Sequence, residues 1–364
     1  MSALSDDHLG SLRGLLDYPD LTGTRYEIRR KLAVGGMGSV YLAHDRALDR
    51  NVALKVLTIP DLSGERAARM MREAHVVARL EHPGIVPIHD VGRLSDGRVY
   101  YTMKYVEGAT LEQFRQPETP LPDLLRLFQR VCEAVEFAHS RGVIHRDLKP
   151  ANIMVGPFGE VLVMDWGIAL AATLTRDPAT TTPDSRSERA SEAGHPVPGG
   201  ESAGSYVPTP NTAAGTILGT PAYMSPEQAR GETVDHRCDI HGLGAILYFL
   251  LTGRAPFEVF DSPASPDRIR KGEVTPPRTH DRRIPRRLEA ICLKAIAPSP
   301  DDRYQSARHF TDDIVAYLDG LPVSAYRETP WEVALRWFSR NRFIVFIVVA
   351  YMVVRFLLLL WRGI

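Results

Sequence analysis

Residues 145–152 bring five functional types of side chain into one short segment. In this segment Asp147 can accept a proton from a hydroxyl group, and Lys149 can steady a phosphoryl group during its transfer. Asn152 can ligand a divalent cation. Asp165 follows 18 residues after Asp147, directly behind a short apolar run. A carboxylate at the end of a strand can hold Mg²⁺ between the β- and γ-oxygens of a nucleotide.

A glycine-containing segment, residues 32–40, lies between two predicted strands. Gly35, Gly36 and Gly38 have no Cβ atom, so their backbone N–H groups can approach phosphate oxygens closely. However, Ala33 occupies the first glycine position of a full G-x-G-x-x-G pattern, and glycines in a hairpin more often mark only a turn. This segment alone therefore does not identify a nucleotide site.

A lysine and a glutamate form a third candidate pair. Lys55 lies on a predicted strand, and Glu73 lies 18 residues later on a predicted helix. An ion pair between Lys55 and Glu73 would direct the ammonium group at the α- and β-phosphates of a nucleotide. Taken by themselves, the two residues are better explained as solvated surface charges.

In chain order, these segments resemble the signature set of protein kinases, specifically bacterial serine/threonine kinases of the eukaryotic-like (Hanks) type. Further matches follow at the family's spacing, over about residues 26–320. Residues 225–227 resemble the end of the activation segment, with Ser-Pro-Glu for the commoner Ala-Pro-Glu. Asp239 resembles the buried Asp of the central C-lobe helix, and Arg303 resembles the arginine that pairs with Glu227. This ordered set is far more specific than the glycine segment alone.

The resemblance implies an ATP-dependent protein serine/threonine kinase that uses Mg²⁺ or Mn²⁺. It implies catalytic roles for Asp147, Lys149, Lys55 and Glu73, and metal binding by Asn152 and Asp165. Met103 resembles the gatekeeper, with adenine bound by the backbone of Lys104 and Val106. The implied ATP-binding residues are Ala33, Val34, Gly35, Gly36, Met37, Gly38, Val40, Ala53, Lys55, Met103, Lys104 and Val106.

Regulation is expected to involve Arg146, which precedes the implied catalytic Asp147. A buried arginine beside an active site requires an anion, which a phosphate on the activation segment would supply. Thr212 is the first candidate for this phosphate and Thr216 the second. Thr220, together with Lys149, favours Ser/Thr acceptors over Tyr, as in the family.

The sequence departs from the family pattern at three points. Ala33 replaces a loop glycine, and Trp166 replaces the Phe of the usual Asp-Phe-Gly motif. The segment from Asp165 to Glu227 is also unusually long, because it contains residues 171–213. Ser, Thr, Pro and Gly dominate that stretch and large apolar side chains are nearly absent, so it is predicted to be a disordered insertion.

The surrounding pattern of apolar residues predicts the elements that hold these side chains. Five strands are predicted before residue 107, at Tyr26–Leu32, Val40–His44, Asn51–Leu57, Val86–Gly92 and Val99–Tyr105. Helices are predicted at Arg66–Leu80, Pro122–Ser140, Cys238–Leu251, Leu288–Ala297 and Ser306–Asp319. We therefore expect an α+β, two-lobed protein-kinase fold, with an N-terminal extension (1–25), a β-rich N-lobe (26–107) and an α-helical C-lobe (108–320).

A basic juxtamembrane segment (321–342) and an apolar segment, Phe343–Trp361, follow the lobes. Nineteen helical residues would span about 28 Å, close to the thickness of a hydrocarbon core. This length predicts a single-pass helix in the inner cell membrane, and the preceding arginines place the kinase on the cytoplasmic side. Arg355 opposes this interpretation, and an amphipathic helix on a membrane or a partner is the alternative. The position of the span at the chain end also fits a shortened version of a longer receptor.

Composition limits the class of protein. In 364 residues, 44 Lys and Arg balance 44 Asp and Glu, so no global basic field attracts nucleic acid, and no nucleic-acid partner is expected. The three cysteines match neither a disulfide framework nor a zinc ligand set. The expected partners are protein substrates, the membrane and, transiently, a second copy for autophosphorylation in trans. The rival interpretation, a membrane-tethered pseudokinase scaffold, is disfavoured because Lys55, Asp147, Asn152 and Asp165 are all present.

Overall fold

The structure is a computed structural model that describes residues 18–35, 38–57, 64–166, 221–257, 265–340 and 342–362. The predicted insertion 171–213 lies outside these residues, as do Gly36 and Met37. Thr212, Thr216 and Thr220 also lie outside them, so the structure does not test their predicted roles.

A five-stranded sheet forms the first lobe. Its strands are β1 (Tyr26–Val34), β2 (Gly38–Asp45), β3 (Arg50–Leu57), β4 (Ile88–Arg93) and β5 (Val99–Lys104). The order is β1-β2-β3-β5-β4, and every neighbouring pair is antiparallel. All five strands were predicted, with shifts of one or two residues at their ends.

One long helix, α1 (Glu65–Ala78), packs on this sheet. Its apolar residues recur every three or four positions, so Met70 and Ala74 lie on one face. That face contacts Tyr101 and Met103 from β5 in a common buried cluster. The packing of α1 against β5 brings the helix residue Glu73 toward the sheet.

The second lobe is mainly helical and is built around α5 (Arg237–Thr252). Every residue from Cys238 to Leu251 in α5 is buried, which explains why its sequence is apolar on all sides. The remaining elements up to residue 318 are β6 (Ala109–Thr110), α2 (Leu111–Phe114), α3 (Leu121–Ser140), β7 (Ile153–Val155), β8 (Val161–Val163), α4 (Pro226–Ala229), α6 (Ser265–Lys271), α7 (Pro277–His280), α8 (Arg286–Ala295) and α9 (Ala307–Leu318), with 3-10 turns at Pro150–Asn152, Pro221–Tyr223 and Pro300–Asp302.

A small antiparallel sheet, ordered β6-β7-β8, lies in the second lobe beside these helices. Sequence analysis did not predict this sheet. Its strands have only two or three residues each, which is too short for an alternating pattern to appear. The sheet matters for the site because β7 begins immediately after Asn152 and β8 ends just before Asp165.

Two helices follow the lobes, α10 (Pro330–Arg340) and α11 (Arg342–Arg362). The described apolar side chains of α11 are largely exposed, and Phe346 is 72% exposed. Arg355 interrupts the apolar sequence of α11. In the part of the chain that the structure describes, no helix is long and apolar enough to cross a membrane. The predicted transmembrane helix over 343–361 is therefore not found, although a helix does cover these residues.

Candidate active site

The loop between α3 and β7 carries His145, Arg146 and Asp147, and the buried carboxylate of Asp239 holds it in place. Asp239 accepts hydrogen bonds from the backbone N–H of His145 and of Arg146, each at 2.7 Å. His139 Nε2 lies 2.8 Å from the same carboxylate. Burial alone would raise the pKa of Asp239, but these hydrogen bonds outweigh burial and hold the pKa below its usual value. The first turn of α5 thus fixes the backbone next to Asp147.

Three side chains converge within this loop. Lys149 Nζ donates to Asp147 Oδ2 at 2.8 Å. Asn152 Nδ2 donates to the backbone carbonyl of Asp147 at 2.8 Å and to its Oδ2 at 3.1 Å. Because Asn152 uses its nitrogen for both bonds, its amide oxygen is left for another ligand. The carboxylate of Asp147 is partly exposed, as a group that receives a substrate proton must be.

Lys55 from β3 lies between two carboxylates. Its Nζ is 3.4 Å from Glu73 Oε1 and 2.9 Å from Asp165 Oδ1. The hydroxyl of Tyr101 donates to the same Glu73 oxygen at 3.2 Å. The ion pair that the spacing of Lys55 and Glu73 suggested is therefore present, and the alternative of two solvated surface charges is wrong, because both side chains are buried.

The charges of Lys55 and Asp165 shift each other's pKa. Burial by itself lowers the pKa of Lys55, but the surrounding groups, with the carboxylates of Asp165 and Glu73 among them, raise the pKa above its usual value. Burial raises the pKa of Asp165, but the ammonium of Lys55 outweighs burial and lowers it. Lys55 is thus held as a cation and Asp165 as an anion at neutral pH.

The backbone joins the two groups of residues. The N–H of Met164 donates to the carbonyl of Asn152 at 2.8 Å, and the carbonyl of Met164 lies 2.9 Å from His145 Nε2. Asp165 follows Met164 directly, so its carboxylate lies beside the loop that carries Asp147. Asp165 also has a positive φ of 51°, which is rare for a residue other than glycine and often marks a functional site.

Trp166, which occupies the position of the Phe in the usual Asp-Phe-Gly motif, is almost fully buried. Its ring lies 4.7 Å from the ring of His145, and its Nε1 donates to the carbonyl of Val163 at 3.2 Å. The larger side chain is therefore accommodated in the core with its one polar atom paired. In this structure Trp166 packs inward beside the catalytic loop.

The glycine segment connects β1 and β2. Gly35 N–H donates to the carbonyl of Gly38 at 2.8 Å, which holds the end of β1 beside the start of β2. A Cβ atom on Gly38 would lie 2.3 Å from the carbonyl oxygen of Val56, so only glycine fits there. Ala33 and Val40 face each other across the β1–β2 pair. Val34 is 68% exposed at the end of β1.

The predicted adenine-binding residues lie at the end of β5. Met103 is buried and opposite Ala53 of β3 in the sheet register. Lys104 is exposed, and its N–H donates to the carbonyl of Pro87 at 3.1 Å. Val106 is buried just beyond the strand. The chain between the two lobes thus passes directly beside Met103.

Glu227 and Arg303 lie apart from this cleft and form a buried pair. Arg303 donates through both terminal nitrogens to the two carboxylate oxygens of Glu227, each at 2.7 Å. Burial raises the pKa of Glu227, but the bonds from Arg303 outweigh burial and lower it. Arg303 also donates to the carbonyls of Ala297 and Arg237, so this pair ties three segments of the lobe together.

Arg146 adopts a positive φ of 67°, and its Nε is buried without a hydrogen-bond partner among the described residues. Gln228 Nε2 donates to the Arg146 carbonyl at 2.8 Å. Sequence analysis missed Gln228, His139 and Tyr101, all of which support site residues. Only their contacts reveal these roles, since each is a common residue type on an ordinary helix or strand.

Comparisons with known proteins agree with this geometry. Residues 26–192 match the family model described as a protein kinase domain. The serine/threonine-protein kinase PknD of Chlamydia trachomatis is 38% identical over 326 residues, covering 82% of this chain and 32% of PknD. The serine/threonine-protein kinase PknB of Mycolicibacterium smegmatis is 37% identical over 311 residues, covering 83% of this chain and 44% of PknB. The crystal structure of the Mycobacterium tuberculosis PknI kinase domain matches with a TM-score of 0.55 and 26% identity, covering 80% of this chain and 94% of that domain.

The two lobes, the cleft residues and these matches define the class of protein: the chain carries a protein kinase domain, and its relatives place it with the serine/threonine protein kinases. The resemblance to bacterial Hanks-type kinases is confirmed. The chain spans about a third of the length of the chlamydial relatives and less than half of the mycobacterial ones. The family in general uses ATP and a divalent metal ion.

Proposed function

We propose that this protein transfers the γ-phosphate of ATP to Ser and Thr hydroxyls of protein substrates. The observation that carries the proposal is the position of Lys55 Nζ, 3.4 Å from Glu73 and 2.9 Å from Asp165. These groups lie beside the loop in which Asp147 accepts hydrogen bonds from Lys149 and Asn152. Phosphoryl transfer depends mainly on positioning and on neutralising charge, which this set of groups supplies.

On the nucleotide side, Lys55 holds the α- and β-phosphates, and Glu73 keeps its ammonium in place. The backbone of Gly35 and Gly38 covers the phosphates. Adenine binds at the backbone of Lys104 and Val106, beside the buried Met103. Support for the lysine's role comes from its position, since the ammonium is held between Glu73 and Asp165 and a cation there attracts phosphate.

On the acceptor side, Asp147 orients the substrate hydroxyl and accepts its proton. Lys149, whose Nζ lies 2.8 Å from Asp147 Oδ2, steadies the phosphoryl group during its transfer. The partial exposure of the Asp147 carboxylate leaves room for the acceptor to approach. This assignment of roles follows the distances within the loop and the family resemblance together.

The residues fit a Mg²⁺ or Mn²⁺ site. Asp165 offers a carboxylate held as an anion, and Asn152 offers an amide oxygen whose nitrogen is already occupied. Hard divalent ions prefer such oxygen ligands and are usually held by few protein groups together with substrate phosphates. When bound, the ion neutralises charge on the β- and γ-phosphates.

We further propose that phosphorylation of the activation segment, on Thr212 first and Thr216 second, stabilises the active form. The support is Arg146, whose buried Nε has no hydrogen-bond partner among the described residues. A phosphate would supply that partner through charge-assisted hydrogen bonds. The reaction would take place in trans between two transiently associated copies and would serve signal transduction.

The exposed apolar helix α11 supports a proposal about location. We propose that α11 associates with the inner cell membrane and keeps the kinase lobes on its cytoplasmic side. Its described side chains from Phe346 to Leu358 are mostly apolar and exposed, which is costly in water. The rival function, a membrane-tethered pseudokinase scaffold, is less well supported, because the residues for phosphoryl transfer are all present.

A transfer assay with the full chain tests the enzymatic proposal. The chain is supplied with γ-labelled ATP, a divalent ion and a peptide that contains Ser or Thr, and labelled peptide is measured. We expect wild type to transfer label and Asp147→Asn to transfer about 10³-fold less or none, while nucleotide binding is retained. Equal rates for the two proteins would contradict the proposed role of Asp147. Tight ATP binding without transfer by wild type would favour the scaffold.

A further inference from the structure

Gln228 links the short helix α4 to the loop that carries Asp147. Its Nε2 donates to the backbone carbonyl of Arg146 at 2.8 Å. Its Oε1 accepts hydrogen bonds from the backbone N–H of Ser225 at 3.1 Å and from the Ser225 hydroxyl at 2.9 Å. Because a backbone N–H can only donate, the amide oxygen faces Ser225 and the amide nitrogen faces Arg146. The side chain therefore has one defined orientation between α4 and the loop.

The carbonyl that Gln228 holds belongs to a strained residue. Arg146 has a φ of 67°, in the left-handed region that residues other than glycine rarely adopt. Such a conformation persists only where the surrounding contacts enforce it. The carboxylate of Asp239 accepts from the N–H of Arg146 at 2.7 Å, and the amide of Gln228 donates to its carbonyl. These two side chains together hold the backbone of Arg146 in its strained conformation.

The position of Asp147 depends on the same peptide group. The carbonyl of Arg146 and the N–H of Asp147 belong to one planar unit, so the two rotate together. This N–H donates to Nδ1 of His145 at 3.2 Å, near the long end of the usual range. Gln228 holds the opposite side of the unit by a shorter bond. Losing that bond would let Arg146 relax and would shift the backbone from which the carboxylate of Asp147 projects.

The helix from which Gln228 projects is itself held firmly. Glu227, the preceding residue of α4, accepts from both terminal nitrogens of Arg303, each at 2.7 Å. Both of these side chains are buried, so the pair fixes α4 against the second lobe. Gln228 thus joins an anchored helix to a strained turn of the backbone.

We propose that Gln228 is a positioning residue for phosphoryl transfer: it holds the Arg146–Asp147 peptide group so that the carboxylate of Asp147 is aimed at the acceptor hydroxyl. This role rests on the proposed function, because that function assigns the acceptor hydroxyl to Asp147. Gln228 acts on the backbone of the loop and not on the groups proposed to bind ATP. Its loss should therefore slow transfer without weakening the binding of ATP.

Hydrogen exchange tests the positioning without catalysis. The full chain, held in detergent without nucleotide, is placed in deuterated buffer, and exchange of the Asp147 N–H is followed by mass spectrometry. We expect Gln228→Met to speed this exchange about tenfold, as for the loss of one hydrogen bond. Gln129→Met is the matched control, because Gln129 is also half-buried and its Nε2 donates to Glu133 on the same helix, α3. Equal exchange in wild type and Gln228→Met would overturn the proposal.

Peptide phosphorylation tests the consequence for the reaction. We expect Gln228→Met to lower kcat about tenfold or more while KM for ATP stays unchanged. Gln228→Glu keeps an acceptor for Ser225 but, when ionised, has no donor for the Arg146 carbonyl. The protonated carboxyl can donate again. The rate of Gln228→Glu relative to wild type should therefore rise as the pH falls from about 8 to about 6, because burial and the facing carbonyl raise the pKa of the introduced carboxyl.

The remaining outcomes are distinct. Faster exchange with an unchanged kcat would overturn the positioning role and leave only a structural bond. A rate of Gln228→Glu that is a constant fraction of the wild-type rate at every pH would show that the donor is not what matters, and would also overturn it. If wild type transfers no phosphate, the proposed function fails, while exchange of the Asp147 N–H still decides whether Gln228 holds the peptide group.

Discussion

His241 on α5 is a fully buried imidazole whose two ring nitrogens have no hydrogen-bond partner among the described residues. Burial lowers the pKa of His241 to about 3, from an ordinary value of 6.5. Between about pH 6.5 and pH 3, the folded protein therefore keeps this ring neutral while the unfolded chain protonates it. The ring lies 6.3 Å from that of Phe257 and is stacked on it, so it serves the core as an aromatic side chain.

This difference predicts a pH-dependent stability. The unfolded chain binds a proton at His241 below about pH 6.5 and the folded chain does not, so stability falls as pH falls from 6.5 toward 3. Between pH 7 and pH 5.5 the loss from this group is about 1 kcal/mol. His241→Phe should remove that loss, measured as the change in free energy of unfolding between the two pH values. Equal pH dependence in His241→Phe, wild type and the exposed control His309→Gln would contradict this explanation.

A second prediction at this scale concerns Arg146. If its unpartnered Nε receives a regulatory phosphate, removing the phosphorylated hydroxyl should reduce activity. We expect Thr212→Ala to lower the transfer rate by about tenfold, while Thr175→Ala leaves it unchanged. Rates are compared after preincubation with ATP, so that autophosphorylation is complete. Equal rates for Thr212→Ala and wild type would rule out this threonine as the site.

Individual residues also show where sequence analysis succeeds and fails. Lys55 and Glu73 were recognised as site residues only because other kinase-like motifs follow them in chain order. Taken alone, the two residues were better explained as solvated surface charges than as an ion pair. Tyr101 and His139 could not be predicted, since their roles depend on hydrogen bonds across the fold rather than on spacing. His241 likewise shows nothing unusual in the sequence, because its pKa is lowered mainly by burial in the folded lobe, which spacing does not reveal.

At the scale of elements, the Glu227–Arg303 pair joins α4 to the segment before α9. Both side chains are buried, so removing one leaves an uncompensated charge in the core. We expect Arg303→Met to destabilise the protein by about 3–5 kcal/mol, and Glu227→Gln in the same chain to restore part of that loss. Chemical denaturation measures both, with Arg308→Met on the exposed face of α9 as control. A double variant as unstable as the sum of the single variants would show that the two residues do not interact.

The helix α11 gives a prediction at the same scale. A charged residue in its exposed apolar surface should weaken association with lipid by about 2.5 kcal/mol or more. We expect Val349→Glu to reduce the fraction of the full chain that floats with phospholipid vesicles. Phe158→Glu alters an exposed apolar residue on the β7–β8 turn, away from α11, and should have no effect. Flotation unchanged by Val349→Glu would contradict the proposed membrane association.

Length decides which elements the sequence predicts. The five strands of the first lobe and the helices α1, α3, α5, α8 and α9 repeat their apolar pattern often enough to be recognised. The short elements β6, β7, β8, α2 and α4 span two to four residues, and tertiary contacts rather than periodicity define them.

At the scale of the whole molecule, the two lobes divide the chemistry between them. The first lobe contributes Lys55 and Glu73, and the second contributes Asp147, Asn152 and the anchoring Asp239. Asp165 links the lobes, because it follows β8 of the second lobe and contacts Lys55 of the first. The Lys55–Asp165 contact, at 2.9 Å, therefore joins the two lobes across the cleft.

Mapping phosphorylated residues by mass spectrometry tests the central claim most directly. The full chain, as wild type and as Asp147→Asn, is first dephosphorylated and then exposed to ATP and Mg²⁺. We predict new phosphate on Ser and Thr residues in wild type and none in Asp147→Asn, with both proteins folded and binding nucleotide. Phosphate on the same residues to the same extent in both proteins, or none in either, would contradict the account of this cleft as a site of phosphoryl transfer.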